Sequence, residues 1–240
     1  MRTMYRGIIA LSVALLFGLS SCDEGKIYPE EKPIDQGRTA SIALHFQNIP
    51  AWPLKHTLSI VCLGEDPAKA LVNKRLLKAS SEEETIYGNL YNIPSETKTI
   101  AIAVMSTGGK VVYPFVSFPV EAGDQPLTFP ETTIDLASFQ RIQEQVFNQK
   151  CIACHGGSTN AAGDLFLNAD RSYAGLVGVK APHSADGHNY VTPGDPDVSY
   201  LVEIFSKKNH EDIFAGRERS EVLNLIRTWI KEGAGNNCYN

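Results

Sequence analysis

Phe147-Asn148-Gln149-Lys150-Cys151-Ile152-Ala153-Cys154-His155-Gly156-Gly157 sets two thiols three positions apart, with a histidine directly after the second. A zinc half-site needs a further Cys or His pair, and the only cysteine downstream is Cys238. A thioredoxin-like redox pair needs a βαβ pattern before it, whereas the residues here predict an amphipathic helix. CxxCH is the c-type haem attachment pattern. Its two thiols can add to the two vinyl groups on one edge of a porphyrin, and the adjacent histidine is then held beneath the iron as an axial ligand. The expected cofactor is one covalent haem c, with Cys151 and Cys154 as thioether residues and His155 as proximal iron ligand.

The flanks of this stretch are helical in pattern. Leu136, Phe139, Ile142, Val146 and Phe147 place an apolar stripe on a helix of about fifteen residues, with Asp135 as its N-cap. Val222, Leu225, Ile226, Trp229 and Ile230 recur at helical spacing near the end of the chain, and Gly233 sits where a C-terminal glycine cap belongs. Taken alone, both stripes are ordinary helix core. Beside Cys151, Cys154 and His155 they predict an all-α class I cytochrome c domain over residues 134–236.

Three phrases make a resemblance explicit. They are Cys151–Gly157, Val191-Thr192-Pro193-Gly194-Asp195-Pro196 followed by Ser199-Tyr200-Leu201, and Trp229-Ile230-Lys231-Glu232-Gly233-Ala234. In that order they resemble the cytochrome c domains of the planctomycete-type family. The resemblance implies a monohaem, electron-carrying domain in which the proline-glycine-aspartate turn walls the haem and leads into a helix. The sequence departs from that family at the iron. A methionine in a Met-Pro phrase is usual there, but Met1, Met4 and Met105 are the only methionines, and Asp212-Ile213-Phe214 stands near that slot. His210 is therefore the first candidate for sixth ligand, His188 the second and His183 the third, with Lys207 and Lys208 as weaker alternatives.

Upstream, Ile42, Leu44 and Phe46 alternate, Thr57–Gly64 is apolar on both faces after Ser59, and Ile100, Ile102 and Val104 alternate again. Thr107-Gly108-Gly109 offers a hairpin turn into Val111 and Tyr113. Short strands between Pro and Gly turns predict an all-β sandwich over residues 38–130, similar to immunoglobulin or fibronectin modules in the phrase Leu90–Pro94. A helical reading exists only near Ala68–Lys78. His45 and His56 read as isolated surface or strand-end residues, and Cys62 as a small buried hydrophobe. The expected fold class is thus two domains, the sandwich followed by the all-α cytochrome c domain.

The chain opens with Arg2 and Arg6, then an apolar run from Ile8 to Leu19, which is too short to span a bilayer. The run ends Leu19-Ser20-Ser21-Cys22, which resembles the lipobox of bacterial lipoproteins. The resemblance implies a signal peptide over residues 1–21 and acylation of Cys22. Residues 22–37, polar and containing Pro29 and Pro33, read as a flexible tether. Asp23 and Glu24 resemble a sorting signal, used for surface export in some lineages and inner-membrane retention in others. An oxidising compartment permits a bridge between the two remaining cysteines, Cys62 and Cys238, without requiring it.

The 240 residues are 43% hydrophobic and 20% charged, which excludes collagen-like, low-complexity and wholly disordered classes. A formal charge of −5 argues against nucleic acid as a partner. Nucleophile triads, phosphate-cradling glycine loops and supported acid–base pairs are not recognisable, so no enzyme is expected. The expectation is a membrane-anchored monohaem lipoprotein exchanging electrons with redox partner proteins of the envelope, at the outer membrane or cell surface. The alternative is a haem-containing sensor or ligand-binding lipoprotein whose β domain recognises a partner.

Overall fold

A computed structural model describes residues 37–207, 210 and 212–236. The first strand organises the whole: β1 (Ala40–Gln47) buries Ala40, Ile42, Leu44 and Phe46, every second residue, as a period of two requires. β1 pairs antiparallel with β4 (Ile86–Leu90), and parallel with β7 (Leu127–Thr128) and β8 (Thr132–Asp135). The second sheet has the order β3-β2-β5-β6, all antiparallel, from β3 (Ala70–Arg75), β2 (Thr57–Leu63), β5 (Thr99–Met105) and β6 (Val111–Pro119). Ile60, Cys62, Ile100 and Ile102 face the β1 side chains through one shared core. Val61, Leu63, Ala101, Ala103 and Met105 form a smaller buried cluster on the opposite face. The turn from β5 to β6 is made where expected: Ser106 N–H donates to Lys110 O at 2.9 Å, with Gly109 at φ +75°.

After β8 the chain enters a continuous helical run: α1 (Phe139–Ile142), a π-helix (Gln143–Cys151) and α2 (Ile152–His155). Ser138, not Asp135, is the N-cap, its Oγ accepting from Arg141 N–H at 3.2 Å. Asp135 lies at the end of β8 and accepts from Ala137 N–H instead. The π geometry shows where Ile152 N–H reaches Phe147 O, five residues back. Two five-residue helices follow, α3 (Ser172–Leu176) and α4 (Tyr200–Ile204), and then a 16-residue helix, α5 (Gly216–Lys231). Gly233, at φ +92°, ends it as the sequence suggests.

The expected fold class is overturned. Among the described residues regular structure is mostly strand in two sheets, with few helices, and no all-α class I cytochrome c domain is evident. Two causes are visible. Between Gly156 and Ser199 the prolines Pro182, Pro193 and Pro196, and the glycines Gly163, Gly178, Gly187 and Gly194 at positive φ, keep helical segments to five residues or fewer. The two apolar stripes also do not close on each other alone. Phe139, Ile142, Val146, Leu225 and Trp229 belong to the same buried cluster as Phe46, Ala51 and Trp52 of the sandwich. The described residues fall within one compact unit. The segment read as helical near Ala68–Lys78 contains edge strand β3, paired with β2.

A buried polar node fixes the helices to the sandwich. Glu221, on α5, accepts from the backbone N–H groups of Leu54, Lys55 and His56 through Oε2 at 2.7–3.1 Å. Its Oε1 accepts from His56 Nδ1 at 2.8 Å and from Gln145 Nε2 at 2.6 Å. Arg141, fully buried, donates to Ala51 O at 2.9 Å, Leu136 O at 2.6 Å and Gln145 Oε1 at 2.9 Å. Burial would raise the Glu221 carboxyl, but hydrogen bonds from His56 and the Arg141 charge bring it down to about 2. His56, read as isolated, is thus held by a carboxylate 165 residues away.

Candidate functional site

The end of the π-helix delivers Cys151, and α2 delivers Cys154 and His155. Two glycines then let the chain fold back. A Cβ on Gly156 would stand 2.4 Å from Ile152 O, and one on Gly157 would stand 1.8 Å from Asn160 O. No other residue fits either place without moving backbone. The returning loop is tied down by Leu167 N–H to His155 O at 2.8 Å and by Asn168 Nδ2 to Gly156 O at 3.0 Å.

That loop orients the histidine. His155 Nδ1 donates to Leu165 O at 3.0 Å, and a carbonyl can only accept, so Nδ1 carries the proton and the Nε2 lone pair is free. Across from it, after α4, lies His210, with ring centres 6.3 Å apart and planes inclined by 37°. His210 Nδ1 is buried and has no hydrogen-bond partner.

Between them is a cavity of ≈ 650 Å³, within the ordinary range for small-molecule and cofactor sites. Cys151, Cys154, His155 and His210 all line it, with an apolar wall that includes Phe147 and Phe205. Burial pushes the Cys151 thiol up to about 12, the opposite of the depressed value that a redox-active CxxC nucleophile needs. Lys150 and Lys207 stand at the lining, and Lys207 Nζ pairs with Glu203 at 2.7 Å. Burial also raises the phenol of Tyr190, which shares the wall with Tyr200.

Cys151, Cys154, His155 and His210, the first-choice residues of the sequence, thus meet at one cavity. His183 also reaches it, whereas His188 is not among its lining residues and faces Glu203. Lys208, Cys22 and Cys238 lie outside the described residues, and with them the lipidation and the bridge to Cys62. The proline-glycine-aspartate turn does not line the cavity. Gly194 N–H donates to Ile230 O at 2.7 Å, which docks that turn on α5. Sequence reasoning missed the aromatic and aliphatic wall at Leu165, Tyr190 and Phe205. Tyr200 was signalled only through the phrase Ser199–Leu201. Among the described residues no helix is long and apolar enough to cross a membrane. Compared with protein-family models, with curated proteins and with solved structures, the chain gives no match.

Proposed function

We propose that the chain is a membrane-anchored lipoprotein carrying one covalent haem c, and that it transfers single electrons between redox partner proteins at the cell envelope. The observation that carries this reading is the pair His155 and His210, with ring centres 6.3 Å apart, at an apolar cavity that both motif cysteines line. Two imidazoles that bind one metal ion from opposite sides, each nitrogen about 2 Å away, have ring centres roughly 6–6.5 Å apart. The 6.3 Å separation meets that requirement.

The residues have distinct parts to play. Cys151 and Cys154 would hold the porphyrin edge as thioethers, which keeps the group in place outside the cytoplasm. His155, with its proton held on Nδ1 by Leu165 O, presents Nε2 as a ligand of fixed orientation. His210 would supply a second imidazole, and its use would account for a histidine standing where no methionine is available. When bound, haem supplies one-electron chemistry at iron, and a bis-histidine site lies lower in potential than a His/Met site. Phe147, Leu165, Leu167 and Phe205 line the cavity and would keep water from the bound group. Acylated Cys22 and the acidic tether would place this unit at the outer membrane or cell surface.

The deciding experiment is intact-mass and pyridine-haemochrome analysis of the chain expressed with haem-maturation machinery. One haem bound through two thioethers, with a low-spin bis-imidazole resonance lost in His210→Ala, is the expected result. A chain without covalent haem overturns the whole reading. A haem-bearing chain whose spectrum and potential ignore His210→Ala overturns the axial assignment, and five-coordinate iron that takes up CO readily points to a sensor.

A further inference from the structure

A second donor cluster includes Glu203 of α4 and two residues of the loop before it. Asp186, His188 and Glu203 each offer one ligand atom, and these atoms lie within 4.8 Å of one another. We propose that they form a site for one divalent first-row transition cation, of which Zn²⁺ is the type case, independent of the haem reading.

The local chain is built to bring these groups together. Gly187, at φ +69°, turns the backbone between Asp186 and His188, and Gly187 N–H donates to Ser184 O at 3.2 Å. His188 is pinned by its own N–H to Ser184 Oγ at 2.9 Å and by Ala181 N–H to His188 O at 3.1 Å. Glu203 comes from α4, and its two oxygens do different work. Oε1 is taken by Lys207 Nζ at 2.7 Å, while Oε2 faces His188 Nδ1 at 3.8 Å. That Nδ1 is buried and has no hydrogen-bond partner, so a lone pair in a sheltered place is left unused. An ion between Nδ1 and Oε2 would satisfy it.

The donor set selects the ion. One imidazole with two carboxylates suits Zn²⁺ and its neighbours, whereas Mg²⁺ prefers an all-oxygen shell and keeps its waters. Three protein donors leave at least one position for water. Lys207, and Lys180 beside Gly187, balance the two carboxylates when no cation is bound.

The test uses the full-length chain carrying Cys151→Ser, Cys154→Ser, His155→Ala and His210→Ala, which removes the cavity's thiols and paired imidazoles as rival ligands, titrated calorimetrically with Zn²⁺ alone and with Mg²⁺ alone. Saturable binding of one Zn²⁺ per chain is expected, with Mg²⁺ at least tenfold weaker. His188→Ala and Glu203→Gln should each weaken Zn²⁺ by about tenfold or more. Should His188→Ala lose its circular-dichroism signature, Asp186→Asn on the exposed turn decides instead by the same tenfold criterion. No saturable binding, or equal affinity in the variants, overturns the site. None of these outcomes touches the haem reading, which stands or falls on covalent mass.

Discussion

The buried Glu221 node and the largely apolar, half-open His155–His210 cavity are both served by the helical run from Phe139 to His155. They differ in how their donors and acceptors are used. At the node, the two Glu221 oxygens collect hydrogen bonds from Leu54, Lys55, His56 and Gln145, and Arg141 reaches two backbone carbonyls. At the cavity, one nitrogen of His155 is used for orientation and Nδ1 of His210 has no partner at all. Nearly satisfied burial holds a fold together, whereas unsatisfied burial around open volume waits for a ligand. The same helical run thus changes task along its length, from clamp at Arg141 and Gln145 to site at Cys151 and His155.

The contrast can be broken by substitution. Glu221→Ala leaves the buried Arg141 guanidinium without its counter-charge and three loop N–H groups without their acceptor, and should cost about 3–5 kcal/mol in denaturant unfolding. A loss under about 1 kcal/mol would demote the node to decoration. The same carboxylate gives a pH signature. Its folded pKa, about 2, lies below its ordinary 4.5, so its contribution is complete above 4.5 and is lost as the pH falls toward 2. A shift of that size corresponds to roughly 3 kcal/mol. Wild type and Glu221→Gln should therefore converge in stability near pH 2 and separate above pH 5, as thermal melts at stepped pH would show.

Smaller effects belong to the cavity side. Gly157→Ala forces a Cβ against Asn160 O and should cost about 2 kcal/mol in denaturant unfolding, because the loop that follows His155 no longer closes. His210→Ala in the unloaded polypeptide should cost less than about 1 kcal/mol, since no hydrogen bond of its ring is lost. A large loss there would place His210 with the structural residues instead. Least of all, Lys55→Ala removes a half-exposed ion pair to Glu218 and should change unfolding by no more than about 0.5 kcal/mol.

What could be read from the residues follows how local the signal is. The alternation of Ile42, Leu44 and Phe46 marks β1 because one face is buried, and CxxCH marks the thiol pair because its chemistry sits within five residues. β3 escaped because an edge strand with Asn73, Lys74 and Arg75 exposed lacks an apolar period, and pairing with β2 overrode local preference. β8 escaped because it has only four residues and leans on β1, far back in the chain. The separate all-α domain was misread because a helical stripe declares that it is buried but not against what. Here Trp229 and Phe139 share a core with Phe46. The His56–Glu221 contact had no local signal of any kind, and the ring wall at Tyr190 and Phe205 is assembled from loops whose spacing follows no period.

The parallel register of β1 with β8, Leu44 beside Thr132, has a consequence for biogenesis. The earliest strand of the sandwich cannot complete its sheet until the ribosome has released nearly the whole intervening sequence, so the slow, entropically costly step of assembly is long-range closure. An export apparatus that requires an unfolded client would meet this polypeptide still open, with its thiols yet to be enclosed by the finished architecture.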